Sequence, residues 1–271
     1  MSGIGIAVWN FEGDDIAVKL RMFAEMGYTA ASINNRSLDL LSDEDESRIA
    51  ETADEHDLAL TFHGGFTDES QDSQVAARRA ERIARLHERT GRVACTSYDV
   101  PGTPIPGCCS RKEPERILGM LEDVLRTMSG TGVKVLLEDC PLYPEEAVRI
   151  DGLRERYPHL GVLIDLGHMN LRLREPRHDP RPLDPGAVEA YLRRIPWEIA
   201  ELHVHSNDGT RDQHAPPYAP NADMAEAARV LREIGFDGIS TIELVPKWCG
   251  LPDDEIEDAC RRSLEYWRGL L

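Results

Sequence analysis

The chain has 271 residues, 41% of them hydrophobic, and its 49 acidic against 31 basic side chains give a formal charge of −18. That length suits one large core, so a single domain over residues 1–271 is expected. So acidic a surface repels polyanions, which disfavours nucleic acid and anionic membranes as partners, and no stretch approaches the ~20 apolar residues of a membrane span.

From the amino end, the first apolar run, IGIAVWN, begins at Ile4, within a start (MSGIGIAVWNFEGDD) that lacks both a basic segment and a long apolar stretch. A second run, TAASIN, begins at Thr29. Ser42 then opens the amphipathic segment SDEDESRIAETADEH, with acids in its first turn as helix N-termini favour. Further runs begin at Ala59 (ALTFH), Val93 (VACTSY), Val133 (VKVLLE), Gly161 (GVLID), Ile199 (IAELHVH) and Gly238 (GISTIE). Ahead of the last, DMAEAARVLREIGF reads as a helix that ends just after Gly235. Eight strand-helix units, starting roughly 25 to 40 residues apart, match the ~30 residues that one crossover consumes. The predicted fold is therefore α/β, a single (β/α)8 barrel. Two loops rich in Pro and Gly, VPGTPIPGCCSRKEP after the fourth strand and REPRHDPRPLDPG after the sixth, either overhang the mouth as lids or are plain connectors. Cys95, Cys108, Cys109, Cys140, Cys249 and Cys260 form no C-x-x-C pair, so a reduced, cytoplasmic compartment is expected.

Glu138, Asp165, His205 and Glu243 close the last four apolar runs. An ionised carboxylate at the end of a buried strand is costly unless positive charge meets it. Parallel strands closed into a ring bring their C-terminal ends to one mouth, where a single divalent cation would satisfy all four groups. The oxygen-rich set suits Mn²⁺, Mg²⁺, Co²⁺ or Zn²⁺. For any one of the four alone, an ion pair with Lys or Arg is the competing explanation.

Ile164 to Asn170 (IDLGHMN) and Leu202 to His214 (LHVHSNDGTRDQH), with Glu138 and Glu243, resemble the xylose-isomerase-like barrels. That superfamily holds sugar and sugar-phosphate isomerases and epimerases, related dehydratases, and endonuclease IV of AP endonuclease family 2. The resemblance implies Glu138, Asp165, His205 and Glu243 as metal ligands and His168 and Arg211 as substrate contacts. It departs from the ketose 3-epimerases after the ligand histidine, where a G-E pair is replaced by Ser206, Asn207, Asp208 and Gly209. The endonuclease branch implies a second metal on His168, Asp212 and His214, with His63 as a ligand of another. At strand 4, however, the histidine expected before Pro-Gly is Val100, and the neighbouring Asp99 is not the matching residue. One main cation with an optional second is the expectation, not a full three-metal cluster.

Each secondary candidate has a plainer competitor. His63 is a substrate-binding or ligand histidine, or a hydrogen-bonded rim residue. His203 lies two residues before His205, hence on the same side of the strand, and is expected to be a satisfied core histidine. Asp212 and His214 are site residues or loop caps. Trp9 and Trp248 wall the pocket or merely pack. Cys140 is a weak acid at the site or an inert thiol, and Cys108 with Cys109 reads as loop.

A cation beside a carbonyl and a neighbouring hydroxyl favours loss of the intervening carbon-bound proton, with Glu138 and Glu243 as base and acid on opposite faces. The expected function is a metal-dependent isomerase or epimerase of a sugar, sugar phosphate or related keto-polyol through an enediolate. A dehydratase or other lyase on a keto-polyol uses the same carbanion. An endonuclease IV-like hydrolase is disfavoured by the charge, and a non-catalytic sugar-binding barrel is a third class. The expected partner is a small carbohydrate-like molecule, and a homo-oligomer is left open.

Overall fold

Eight short runs of β-branched and small residues become eight strands: β1 (Ile4–Ala7), β2 (Ala30–Asn34), β3 (Ala59–Gly65), β4 (Val93–Asp99), β5 (Lys134–Glu138), β6 (Leu160–Asp165), β7 (Ile199–Val204) and β8 (Ile239–Ile242). The computed structural model describes residues 3–13, 15–65, 73–99, 114–139, 144–175, 177 and 179–271. Every neighbouring pair is parallel, and β8 pairs with β1, so the sheet closes in chain order as a (β/α)8 barrel. Val100, Cys108, Cys109, most of the loop after β4, and Cys140 lie outside the described residues.

The helices are α1 (Ile16–Glu25), α2 (Asp43–Glu55), α3 (Ser73–Thr90), α4 (Pro114–Met128), α5 (Pro144–Arg156), α6 (Leu166–Arg172), α7 (Ala187–Arg193), α8 (Met224–Glu233), α9 (Pro246–Cys249) and α10 (Ile256–Leu270). Strand alternation divides the side chains between two environments. Phe62 packs into the large cluster between strands and helices, with Phe23, Leu121 and Trp267. Its neighbour His63 goes to the other side. Full burial of each such large apolar side chain contributes about 1.5–3 kcal/mol. Inside the ring, Glu201 accepts from Thr241 Oγ1 at 2.8 Å and from Cys95 Sγ at 3.3 Å, tying β7 to β8 and β4.

Ser42 caps α2 as its acidic first turn suggests, in a reciprocal capping box with Asp45. Some boundaries differ from expectation. Helix α8 stops at Glu233, because Gly235 takes a left-handed conformation (φ 78°) that ends the helix before it. Strand β1 stops at Ala7, and Val8–Asn10 form a 3-10 turn that lays Trp9 over the His63 ring, centroids 5.5 Å apart. The Pro-rich loop from Arg174 does not leave β6 directly, since α6 intervenes. Arg174, buried, ties that loop down by donating to Asn170 Oδ1 (3.2 Å), Asp179 O (2.9 Å) and Asn221 O (2.7 Å).

Candidate active site and metal centre

Register places the acidic groups. Asp99 pairs with Glu138 across β4 and β5, and Asp165 pairs with His203 across β6 and β7. His205 and Glu243 sit one residue past the ends of β7 and β8. All of Glu138, Asp165, His205 and Glu243 are buried at this one end of the barrel. The three carboxylates meet at His203 Nδ1, which lies 3.1 Å from Glu243 Oε2, 3.7 Å from Glu138 Oε1 and 3.8 Å from Asp165 Oδ2. His205 Nε2 lies 3.0 Å from the Asp165 carboxylate.

His203, expected to be a satisfied core histidine, is fully buried, and its Nδ1 is met by carboxylates although neither ring nitrogen makes an aligned hydrogen bond. Strand parity put it on the right side. What sequence could not reveal is that carboxylates from three other strands converge on it.

His168 stands in the first turn of α6, where Asp165 Oδ1 caps the helix by accepting its backbone N–H at 2.8 Å. Its Nδ1 lies 2.9 Å from Asp139 Oδ2 and 3.3 Å from Glu138 Oε1, and its Nε2 lies 3.3 Å from Asp212 Oδ2. The segment after β7 folds back through paired Ser206 and Ala215 backbone bonds of 2.8 Å. That return stacks His214 on His205, with centroids 3.9 Å apart and planes 8° from parallel. His214 Nε2 meets Asp212 Oδ2 at 3.0 Å, and its Nδ1 meets the Glu243 backbone oxygen at 3.1 Å. Asp212 and His214 therefore face the cluster, and His214 in addition ties its segment to the end of β8 through the Glu243 carbonyl.

His63 Nδ1 is held by Ser97 Oγ at 3.0 Å, so its Nε2 is directed to Asp99 at 3.6 Å and Glu138 at 3.7 Å. Arg211 is different. It is exposed on the segment after β7 and, among the described residues, makes none of the ion pairs that hold the cluster. Trp248 is exposed at the rim, its ring edge-on to His214 at 5.0 Å.

The electrostatics follow from this crowding. Burial opposes charge on Asp165, but the charges of His168 and His205 pull its carboxyl well below the usual range. Burial likewise works to raise Glu138, and hydrogen bonding with Asp99 and His168, together with the charge of His203, outweighs it and holds the group low. Glu243 is lowered in spite of burial by the charges of His203 and His214. The histidines shift the other way. Burial would lower His214, yet the charge of Glu243 and the bond to Asp212 lift it to about 9. His168 and His203 are also raised well above the ordinary histidine value against burial, mainly by Asp165 and Glu243 respectively. His63 is lowered, by burial first and then by the charge of His203.

Two further residues carry the geometry, Asn207, which the sequence marked only as a departure from the epimerase pattern, and Asp139, which nothing in the sequence marked. Asn207 donates to Gly167 O at 2.8 Å and accepts from Asn170 Nδ2 at 2.7 Å, joining the segment after β7 to α6. Asp139, buried and at φ 57°, accepts the Asp165 backbone N–H at 3.0 Å and pairs with Arg172 Nη1 at 3.1 Å. No residue-type signal marks Asp139, because strict strand alternation points it away from Glu138.

Among the described residues, four overlapping groups offer ligand atoms within 4.8 Å of one another: His168, His205, Asp212 and His214; His63, Glu138 and His203; Glu138, Asp165 and His168; and Asp165, His205 and Glu243. Glu138 Oε2, His205 Nδ1 and Asp212 Oδ1 are buried without a hydrogen-bond partner. Mixed carboxylate and imidazole donors with unsatisfied atoms fit a borderline or hard divalent cation.

The family profile described as xylose isomerase-like TIM barrel matches residues 20–270. An uncharacterized protein of Methanocaldococcus jannaschii is 23% identical over 252 residues, covering 88% of this chain and 82% of that protein. Fructoselysine 3-epimerase of Shigella flexneri is 30% identical over 84 residues, 31% of this chain and 29% of the enzyme. Among solved structures, D-psicose 3-epimerase from Clostridium cellulolyticum H10 superposes with a TM-score of 0.72 at 16% identity, covering 99% of each chain. A xylose isomerase-like TIM barrel protein from Mycobacterium smegmatis, in complex with magnesium, gives 0.67 at 15% identity over 100% of this chain and 96% of that one. No helix among the described residues is long and apolar enough to cross a membrane.

Proposed function

The chain belongs to the xylose isomerase-like TIM barrel family, and we propose that it is a divalent-cation-dependent epimerase or isomerase of a keto sugar or related polyol. One observation carries this. Among the described residues, Glu138, Asp165 and Glu243 form no ion pair with Lys or Arg; every charged partner they have is a histidine of the same cluster. Three buried carboxylates held together without a permanent cation are costly, and a divalent ion removes that cost. Glu138, Asp165, His205 and Glu243 would hold the ion, and His168, Asp212 and His214 are the set for a second. Magnesium in the Mycobacterium smegmatis neighbour supports a hard cation. When bound, the ion supplies Lewis-acid stabilisation of negative charge on neighbouring substrate oxygens.

The remaining work falls to the chain's own groups. Glu138 and Glu243 come from strands separated by two others, and both are held in the ionised form. Glu138 takes the proton from the carbon beside the carbonyl and passes it to solvent, while Glu243, having picked up a solvent proton, delivers it to the other face of the same carbon. Each positioned group contributes about 10²- to 10⁴-fold. With one cation bound, His168, through Nε2, and His63 contact substrate hydroxyls, and Arg211 approaches the substrate from the rim. Trp9 and Trp248 give the mouth apolar edges suited to a sugar ring. The local relative acts on fructoselysine and the structural neighbour on D-psicose, which supports a ketose or a ketose derivative.

The test is solvent deuterium incorporation at the reacting carbon of a ketose in D₂O, with Mg²⁺ or Mn²⁺ present and D-psicose and D-fructose as the first substrates. Glu138→Gln and Glu243→Gln each abolish exchange on this account. Retained exchange in both variants excludes the two-carboxylate chemistry. A product with enone-type absorbance assigns the protein to the dehydratases instead.

A further inference from the structure

Asp139 is buried at 2% exposure and adopts φ 57°, a left-handed conformation that residues other than Gly rarely take. A backbone outlier beside a candidate base asks for a reason. Its contacts supply one. Oδ1 accepts the backbone N–H of Asp165, and Oδ2 receives both His168 Nδ1 at 2.9 Å and Arg172 Nη1 at 3.1 Å. Arg172 is itself fixed, donating to Tyr191 Oη at 3.1 Å from the same nitrogen. A glycine would adopt this conformation without strain but would make none of these bonds.

Asp139 Oδ2 already accepts from Arg172 Nη1, and at 2.9 Å it is the nearest acceptor for a hydrogen on His168 Nδ1. That same Nδ1 is 3.3 Å from Glu138 Oε1, so two neighbouring carboxylates compete for one N–H. We infer that Asp139 is a positioning residue. It draws the His168 Nδ1 proton away from Glu138, leaves that oxygen open, and turns His168 Nε2 toward the mouth and Asp212. The left-handed backbone is what carries the Asp139 side chain to this position from a register that alternation assigns to the opposite side. The functional half of this inference rests on the proposed role of Glu138 as base; the positioning half rests on the geometry alone.

Asp139→Asn separates the two. Asparagine tolerates φ > 0 and keeps an acceptor for the Asp165 N–H, but one of its two positions becomes an NH₂ that cannot accept from His168 or Arg172. The readout is the strongly hydrogen-bonded Nδ1–H signal of His168 in ¹⁵N-histidine-labelled, Mg²⁺-loaded full-length protein, assigned with His168→Asn. We expect that signal in the wild type and its loss or large upfield shift in Asp139→Asn. Asp139→Gly, which relieves the backbone conformation while removing the acceptor, gives the same loss and covers failure of the asparagine variant to fold. Bound Mg²⁺, counted by elemental analysis, stays the same. Exchange into a ketose that the wild type accepts falls about 10- to 100-fold, with the loss in kcat and not in KM. An unshifted His168 signal in both variants overturns the inference. A lost signal in a protein whose wild type exchanges no ketose upholds the positioning and rejects the epimerase assignment.

Discussion

Gly167 is the residue whose smallest change should do most damage. An added Cβ would lie within 2.6 Å of His205 Nε2, and closer still to Cε1 and Nδ1. Non-bonded heavy atoms settle near ~3.5–4.0 Å, so the imidazole or the start of α6 would have to retreat by about 1 Å or more. Neither has room. The His205 ring is backed by His214 at 3.9 Å and held by Asp165 at 3.0 Å, and the Gly167 carbonyl is held by Asn207. Overpacking of this kind costs about 1–3 kcal/mol, which lowers Tm by about 2–10 °C for a domain of this size. Displacement of a ligand side chain lowers cation affinity by a further ~10- to 100-fold, in line with disturbed metal shells. Thermal unfolding with and without Mg²⁺, together with calorimetric titration of Mg²⁺, measures both effects on Gly167→Ala. Gly152→Ala in α5 is the control, since nothing lies within 4 Å of its added methyl, and there helix propensity predicts a gain of about 0.5–1 kcal/mol. If Gly167→Ala unfolds and binds like the wild type, the packing of α6 against His205 is refuted.

The raised histidines give a signed pH dependence. A group whose folded pKa exceeds its unfolded value adds stability that is complete below the unfolded pKa and disappears as pH climbs through the folded one. For His214, raised to about 9 from 6.5, the metal-free protein should therefore lose about 3 kcal/mol across pH 6.5 to 9. Denaturant melts in EDTA measure this, and a stability that rises over that interval would sink the assignment. A cation takes over the carboxylates that hold those protons, so Mg²⁺ binding should release protons, with affinity increasing toward pH 9. Titration in buffers of different ionisation enthalpy counts them, and no release contradicts the linkage. Trp248→Ala removes a half-exposed indole and should raise the KM of an accepted ketose about 2- to 10-fold with kcat little changed. An unaltered KM would place Trp248 off the substrate's path.

Strand positions were legible because a closed parallel barrel buries both sides of each strand, which writes β-branched runs into the sequence. The runs at Ile4, Ala59, Val93 and Ile199 start where the strands do, and the rest begin one residue away. The four acidic and imidazole groups were legible for the same reason, as polar endings to apolar runs. Less visible were side chains whose role depends on a partner from another strand or on a local backbone turn. His203 looks like any core histidine until the register sets Asp165 beside it. Asp139 looks outward-facing until φ 57° turns it in. Arg211 was placed by family likeness alone, and its side chain is exposed on the segment after β7.

The central claim is that one divalent ion is held where β5, β6, β7 and β8 end. Anomalous diffraction from crystals grown with Mn²⁺ tests it most directly. A strong peak is expected within bonding distance of Glu138, Asp165, His205 and Glu243. Crystals saturated with Mn²⁺ in which no peak lies among those four residues, and in which the carboxylates keep only their histidine partners, would contradict it.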